Sequence, residues 1–179
     1  ITVTDCVFKH GHGMSIGSET NGGASAIRVT DLSIDNADNG IRIKSNSTRG
    51  GQVHDVVYED ICIRNTKNPI YMDTHYSATV SAAQGLTPVF DDITLRNVRI
   101  LGDGKLTFDG FDAEHRLGMT FDNVTLETPA AIRISGSHAS FTLGPGPVNF
   151  RPTGEDISLN GTPAPGSANS CANTFLPFP

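Results

Sequence analysis

The feature that most limits what this chain can fold into is a pattern that returns five times. ITVTDCVF from Ile1, IRVTDLSI from Ile27, VVYEDICI from Val56, ITLRNVRI from Ile93 and MTFDNVTL from Met119 superimpose without gaps. Each has apolar residues at its first, third, sixth and eighth places, and Asp or Asn at its fifth: Asp5, Asp31, Asp60, Asn97 and Asn123. The fifth places recur at intervals of 26, 29, 37 and 26 residues, and a weaker sixth unit surrounds Asp156-Ile157-Ser158-Leu159. Repetition at this period belongs to stacked architectures, in which each unit buries its apolar face only against its neighbours.

Each unit adds a second short run with strict alternation: Met14/Ile16, Ile41/Ile43, Ile70/Met72, Leu106/Phe108 and Ile132/Ile134. Period-two alternation buries one face of a strand and exposes the other. The units leave no room for crossover helices, which excludes βαβ repeats. A β-sandwich also uses short strands and turns. Repeated Asp or Asn at one register favours a parallel β-solenoid instead, because a short side chain that bonds its own backbone turns every coil at the same point. The 37-residue interval needs an excursion, which residues 77–85 supply. Residues 1–160 are therefore expected to form the coils of a single domain, with 161–179, rich in Pro, Gly and Ser, as an extended or flexible tail.

Composition supports an all-β chain and removes several partners. The 179 residues include 19 Gly and 10 Pro, hydrophobic residues make up 37%, and good helix formers are scarce. The formal net charge of −6 argues against nucleic acid. No apolar run approaches the roughly 20 residues of a spanning helix, so no membrane is expected. Cys6, Cys62 and Cys171 allow one disulfide and one free thiol, or no disulfide. Sequons at Asn46, Asn123 and Asn160 matter only in a glycosylating host.

Stacking turns the alternation into a map of the outer surface. If Ile41 and Ile43 point inward, Arg42 and Lys44 point outward on one face. Ser15, Tyr71, Thr107 and Arg133 are expected beside Arg42, and Gly17, Asp73, Asp109 and Ser135 beside Lys44. Two like charges on one strand of an acidic chain call for an anion, and an arginine fork next to a lysine suits a carboxylate or phosphate. Ladder pairing of these cations with Asp73 is the competing explanation. His12, held in Gly11-His12-Gly13, enters this face at its edge, and Gly17 keeps the space next to Lys44 open. His10 and His12 share a face but lack a third ligand at suitable spacing, so no metal is expected, nor any cofactor.

Gly11-His12-Gly13-Met14-Ser15-Ile16-Gly17-Ser18-Glu19, followed one coil later by Gly40-Ile41-Arg42-Ile43-Lys44, resembles the polygalacturonases, glycoside hydrolase family 28. The likeness is close from Ile1 to about Tyr76 and looser beyond. It implies a right-handed parallel β-helix, a secreted enzyme, and hydrolysis of α-1,4 bonds in polygalacturonate, the pectin backbone. It assigns His12 to the catalytic site as a tuner of carboxylate protonation. Arg42 and Lys44 become holders of the galacturonate carboxylate, and Tyr76 the active-site tyrosine of the following coil. The family inverts, with two carboxyls roughly 6.5–9.5 Å apart, drawn from an Asn-Thr-Asp motif and an Asp-Asp pair that precede Gly-His-Gly. Neither is present here, and Asp91-Asp92 falls two coils too late. The chain thus resembles the C-terminal portion of such an enzyme, expected to be inactive alone and to work with an N-terminal half. The alternatives are a non-catalytic polyuronate-binding solenoid and a calcium-dependent lyase on the same fold.

Overall fold

The computed structural model describes residues 1–77, 85–167, 169–172, 174 and 175. Most of the 77–85 excursion lies outside the described residues. Long strands β1 (Thr2–Phe8), β3 (Ile27–Asp35), β6 (Val56–Arg64), β9 (Ile93–Leu101) and β11 (Leu117–Leu126) stack in parallel along one side. Shorter strands β2 (Met14–Ile16), β4 (Asn39–Lys44), β7 (Asn68–Asp73) and β10 (Gly104–Asp109) stack in parallel along another. A small third ladder joins β5 (Gln52–Val53) to β8 (Val89–Phe90). At the C-terminal end, β12 (Ile132–Leu143) pairs through its first half with β10 and through its second with β11, and β13 (Glu155–Asn160) pairs with β12. The chain is a right-handed parallel β-helix.

The spacing one, three, six, eight is explained by the residue at place five. Asp5, Asp31, Asp60, Asn97 and Asn123 all sit in the left-handed region, with φ between 54° and 55°. Asn and Asp tolerate that conformation better than other side chains. One such residue turns the strand around a corner and resets the alternation, so that both the third and sixth places point inward. The ladder bonds resume beyond it, Cys6 with Leu32, Leu32 with Ile61 and Ile61 with Val98. The corner side chains also bond one another: Asn97 Nδ2 donates to Asp60, and Asn123 Nδ2 to Asn97 Oδ1 at 2.6 Å.

Inward places form rows through the bore. Val29, Tyr58, Leu95 and Phe121 are one row, Ile34, Ile63 and Ile100 another, and Ile41, Ile70 and Leu106 a third, all fully buried. The first coil differs. Val3, Cys6, Phe8, Met14 and Ile16 are only partly covered, and Val7 is exposed. At the opposite end β13, whose Ile157 and Leu159 are likewise only partly buried, is pinned to β12 by Arg116 through Ser140 Oγ (2.8 Å), the Ala139 carbonyl (3.0 Å) and both the carbonyl and carboxylate of Asp156.

One register differs from the expected map. In the last coil Ser135, not Arg133, lies beside Thr107, and Ser137, not Ser135, beside Asp109. Arg133 is the partner of Lys105. The inward row therefore runs from Phe108 to Gly136 rather than to a second isoleucine. A Cβ at 136 would lie 2.7 Å from the Phe108 carbonyl oxygen and 3.4 Å from Ile157 Cδ1, so the row ends in glycine there.

The tail returns along the corner ladder. Asn169 donates through Nδ2 to the Asn97 carbonyl and accepts at its own carbonyl from Arg99. Phe175 lies 4.2 Å from the Arg64 guanidinium, and Cys171 is disulfide-bonded to Cys62, 109 residues away in sequence. Cys6 is the free thiol. Closing a loop of that length stabilises mainly by restricting the unfolded chain, so Cys171→Ser should cost about 2–4 kcal/mol in urea denaturation. A second test concerns Tyr58, whose hydroxyl is buried with no hydrogen-bond partner and whose pKa burial pushes up. Tyr58→Phe should raise stability by about 1 kcal/mol, because an unsatisfied hydroxyl is removed with little change of shape. A loss of stability would show that the hydroxyl has a partner.

Candidate functional site

The outer face of β4 carries Arg42 between Ser15 of β2 and Tyr71 of β7, with Lys44 beside Asp73. Beyond β7 the chain turns at Thr74-His75, and Tyr76 comes back over β4. Its backbone N–H donates to the Ser45 carbonyl at 2.9 Å, and Asn46 Nδ2 donates to its carbonyl at 2.7 Å. Asn46 is itself buried and receives Thr48 N–H and Thr48 Oγ1 on its Oδ1. The Asn46 sequon is thus a structural brace, and its amide is already used.

Two tyrosine rings enclose the cations. The Arg42 guanidinium carbon stands 5.5 Å from the Tyr71 ring centroid and 5.2 Å from that of Tyr76, and Lys44 Nζ stands 4.0 Å from Tyr76. Aromatic faces attract cations at such distances. Hydrogen bonding and charge from Lys44, with hydrogen bonding from Arg42, hold the Tyr76 phenol below its ordinary pKa. Arg42 is only 6% exposed, and its Nε has no hydrogen-bond partner.

Neither cation forms a salt bridge among the described residues. Arg28, Arg49, Arg64, Arg96 and Arg116 all face carboxylates, so the contrast is specific. Asp73, the register partner of Lys44, is turned elsewhere: it accepts the Tyr71 hydroxyl at 2.6 Å and the His75 backbone N–H at 2.8 Å. Burial, and then the bond to Asp73, push the Tyr71 phenol up. The ladder pair that would have neutralised Lys44 does not form. One coil further, burial lifts the Asp109 carboxyl above its usual range, the Asp73 charge adds to this, and a hydrogen bond from Ser137 opposes it. Two positive charges held on aromatic rings, without a counter-ion among the described residues, have the chemistry to take a small anion.

The structure thus brings Arg42, Lys44 and Tyr76 together and leaves His12 at the rim. His12 precedes β2 and is 69% exposed, with Nδ1 3.8 Å from Asp38 Oδ2, while its carbonyl accepts from Ser15 Oγ. The flanking glycine has a backbone reason. At Gly13 (φ 59°) a Cβ would lie 2.2 Å from the Asn39 carbonyl oxygen of the next coil. Gly17 (φ 92°) likewise meets the backbone carbonyl of Lys44, not its side chain, which corrects the reason expected for that glycine. Asp91 and Asp92 lie exposed at the corner between β8 and β9. Sequence reasoning put Tyr71 beside Arg42 but missed it as a second ring over the guanidinium, and missed Asn46 as the brace of Tyr76.

The model for Glycosyl hydrolases family 28 matches residues 1–141, and the chain belongs to that family. It is similar to a polygalacturonase of Ralstonia nicotianae, 40% identical over 198 residues, which covers 96% of this chain and 36% of that protein. A polygalacturonase of Ralstonia solanacearum is 39% identical over 96% of this chain and 37% of its own length. An endo-polygalacturonase of Pectobacterium parmentieri is 35% identical over 71% of this chain and 31% of its length. The chain therefore spans a little over a third of the two Ralstonia relatives. No solved structure gives a significant match.

The environment of Tyr76 can be read directly. Its phenol should ionise at lower pH than free tyrosine when followed by ultraviolet absorbance, and Lys44→Met should move that titration upward. An unmoved titration would mean that Lys44 does not touch the phenol in solution.

Proposed function

We propose that this chain grips the substrate in an enzyme that hydrolyses α-1,4-linked polygalacturonate. One observation carries the reading: Arg42 and Lys44 stand on one strand, stacked on Tyr76 and Tyr71, with no carboxylate of their own among the described residues. A galacturonate carboxylate supplies the missing charge. The guanidinium fork and the ammonium fix the sugar by charge-assisted bonds, and the Tyr76 hydroxyl orients it. A methyl ester has no charge, so the site favours demethylated polymer. Family membership and the names of the relatives support the same substrate class.

Cleavage proceeds by inversion. One carboxylic acid protonates the leaving oxygen, and a carboxylate on the other face activates water. On the resemblance to the family, these two groups belong to coils that precede Gly11-His12-Gly13 in the longer enzyme, this chain spanning 36% of the Ralstonia nicotianae relative. His12 stands at the rim of the first coil and holds the protonation of the acid in the working range. An enzyme for a wall polymer acts outside the cell, so the protein is secreted. A non-catalytic polyuronate-binding role is the second reading, favoured by the engagement of Asp73 with Tyr71 and of Asp109 with Ser137.

Release of reducing ends from polygalacturonate separates the two readings. The protein containing this chain and its N-terminal coils should release them, faster on demethylated than on methylated polymer, whereas the chain alone should bind without cleavage. Arg42→Ala or Lys44→Ala should weaken uronate affinity by about one to two decades each, as expected when a charge-assisted bond is lost. Unchanged affinity would overturn the carboxylate seat. His12→Ala should depress turnover with little change in thermal stability; a collapse of folding would return His12 to a structural role.

A further inference from the structure

Opposite charges in register on neighbouring coils meet elsewhere on this molecule. Arg64 pairs with Asp35 at 2.8 Å, and Arg96 with Glu59 at 3.4 Å and with Asp122 at 3.5 Å; each is a direct register pair. Lys44 and Asp73 are such a pair too, on β4 and β7. Neighbouring strands stand about 4.8 Å apart, so these two side chains are within reach of each other. Among the described residues no salt bridge joins them, and Asp73 turns to other partners.

What sets this pair apart is the residue two places before Asp73, on the same outward face. The Tyr71 hydroxyl donates to Asp73 Oδ2 at 2.6 Å, and the His75 backbone N–H donates to Oδ1 at 2.8 Å. Both oxygens are engaged, and neither donor carries a charge, so the carboxylate is held without consuming a cation. The bond from the tyrosine is short, as hydroxyl–carboxylate bonds are. The raised pKa of the Tyr71 phenol keeps that donor protonated. The surrounding charges work against this arrangement. Asp73 lies between Lys44 and Asp109 in its row, and its charge is felt at the Asp109 carboxyl. Attraction on one side and repulsion on the other both drive Asp73 toward Lys44.

We propose that the Tyr71 hydroxyl is a latch that keeps Asp73 off Lys44, and so sets the affinity of the site for a uronate carboxylate. In this role Tyr71 is a positioning residue, acting through Asp73 and not on the sugar. The proposal rests on the uronate reading of Arg42 and Lys44. Without the hydroxyl, Asp73 closes the register pair, and an internal carboxylate takes the charge that the ligand needs.

Tyr71→Phe keeps the ring over Arg42 and removes only the latch. In calorimetric titration of the 179-residue chain with a short oligogalacturonate at low salt, it should weaken binding about fivefold, the scale of a partly exposed ion pair that the ligand must first break. Adding Asp73→Asn should restore that loss, and should gain more there than in the unmodified chain, where Asp73 is already held away. Tyr76 gives a readout that needs no ligand, because Lys44 holds its phenol low while burial pushes Tyr58 and Tyr71 up. Tyr71→Phe draws Lys44 from that phenol and should move its ultraviolet titration upward, and Tyr71→Phe/Asp73→Asn should return it. With Arg42→Ala still weakening the ligand, an unchanged affinity or an unmoved titration in Tyr71→Phe overturns the latch and leaves the clamp standing. A gain from Asp73→Asn of equal size in both backgrounds overturns it as well, since Asp73 then acts only as a diffuse charge. If Arg42→Ala leaves the affinity unchanged, the clamp falls, and the titration alone decides whether Tyr71 holds Asp73 off Lys44.

Discussion

Everything in this molecule depends on one backbone event, repeated in register: an Asp or Asn that enters the left-handed region in the middle of a long strand. It bends the chain around a corner and shifts the phase of the alternation, so that side chains on both sides of the corner fill one bore. Because every coil bends at the equivalent residue, each strand meets its counterpart without slippage. A slip of one residue would turn every buried side chain outward. The corner side chains add bonds where one of them is an amide, from Asn97 to Asp60 and from Asn123 to Asn97. Stacked aspartates, such as Asp31 and Asp60, lack such a donor. The corner ladder is thus bonded most firmly at the C-terminal end, where the tail also docks.

This regularity gives the outer surface its order. Residues two apart along a strand and one strand apart across the sheet form a lattice, and chemistry is written on it by single substitutions. Arg42 and Lys44 occupy two points of one strand, Tyr71 covers the neighbouring point, and Tyr76 is folded back over both cations by Ser45 and Asn46. No loop has to be ordered to bring Arg42 and Lys44 together. A site built on strands keeps its spacing without paying for it in binding.

Much of this was legible in the residues. The corners could be found because two chemically similar side chains return at one place in five segments. The pairing of Arg42 with Lys44 followed from alternation alone. The last coil was misaligned because Ile132-Arg133-Ile134 alternates just as Leu106-Thr107-Phe108 does, and nothing local says that the Phe108 carbonyl and Ile157 crowd position 136 until only glycine fits. Tyr76 was reachable only through resemblance, since its place over β4 depends on a turn and on bonds with Ser45 and Asn46, about 30 residues earlier and just past the end of β4. The Cys62–Cys171 bridge could not be chosen over its alternatives, because 109 residues separate the partners and only the completed stack brings the tail to β6. Local chemistry repeats and is readable; contacts made by chain that leaves the repeat are not.

The energetics of Arg42 connect fold with selectivity. An arginine this deeply covered gives up most of its hydration, and without a carboxylate neighbour it recovers little by ion pairing. The faces of Tyr71 and Tyr76 return part of that loss, and the hydroxyl of Tyr76 returns some more. The unliganded site is therefore held short of its best electrostatic state by the same rings that position it. On the reading proposed for Arg42 and Lys44, an incoming carboxylate gains from two cations that are already oriented and already partly dehydrated, whereas a neutral ester must displace what water remains and brings no charge in exchange. Discrimination between the two follows from that imbalance. It needs no contact with the methyl group, only a bore regular enough to keep Arg42 out of reach of the carboxylates among the described residues.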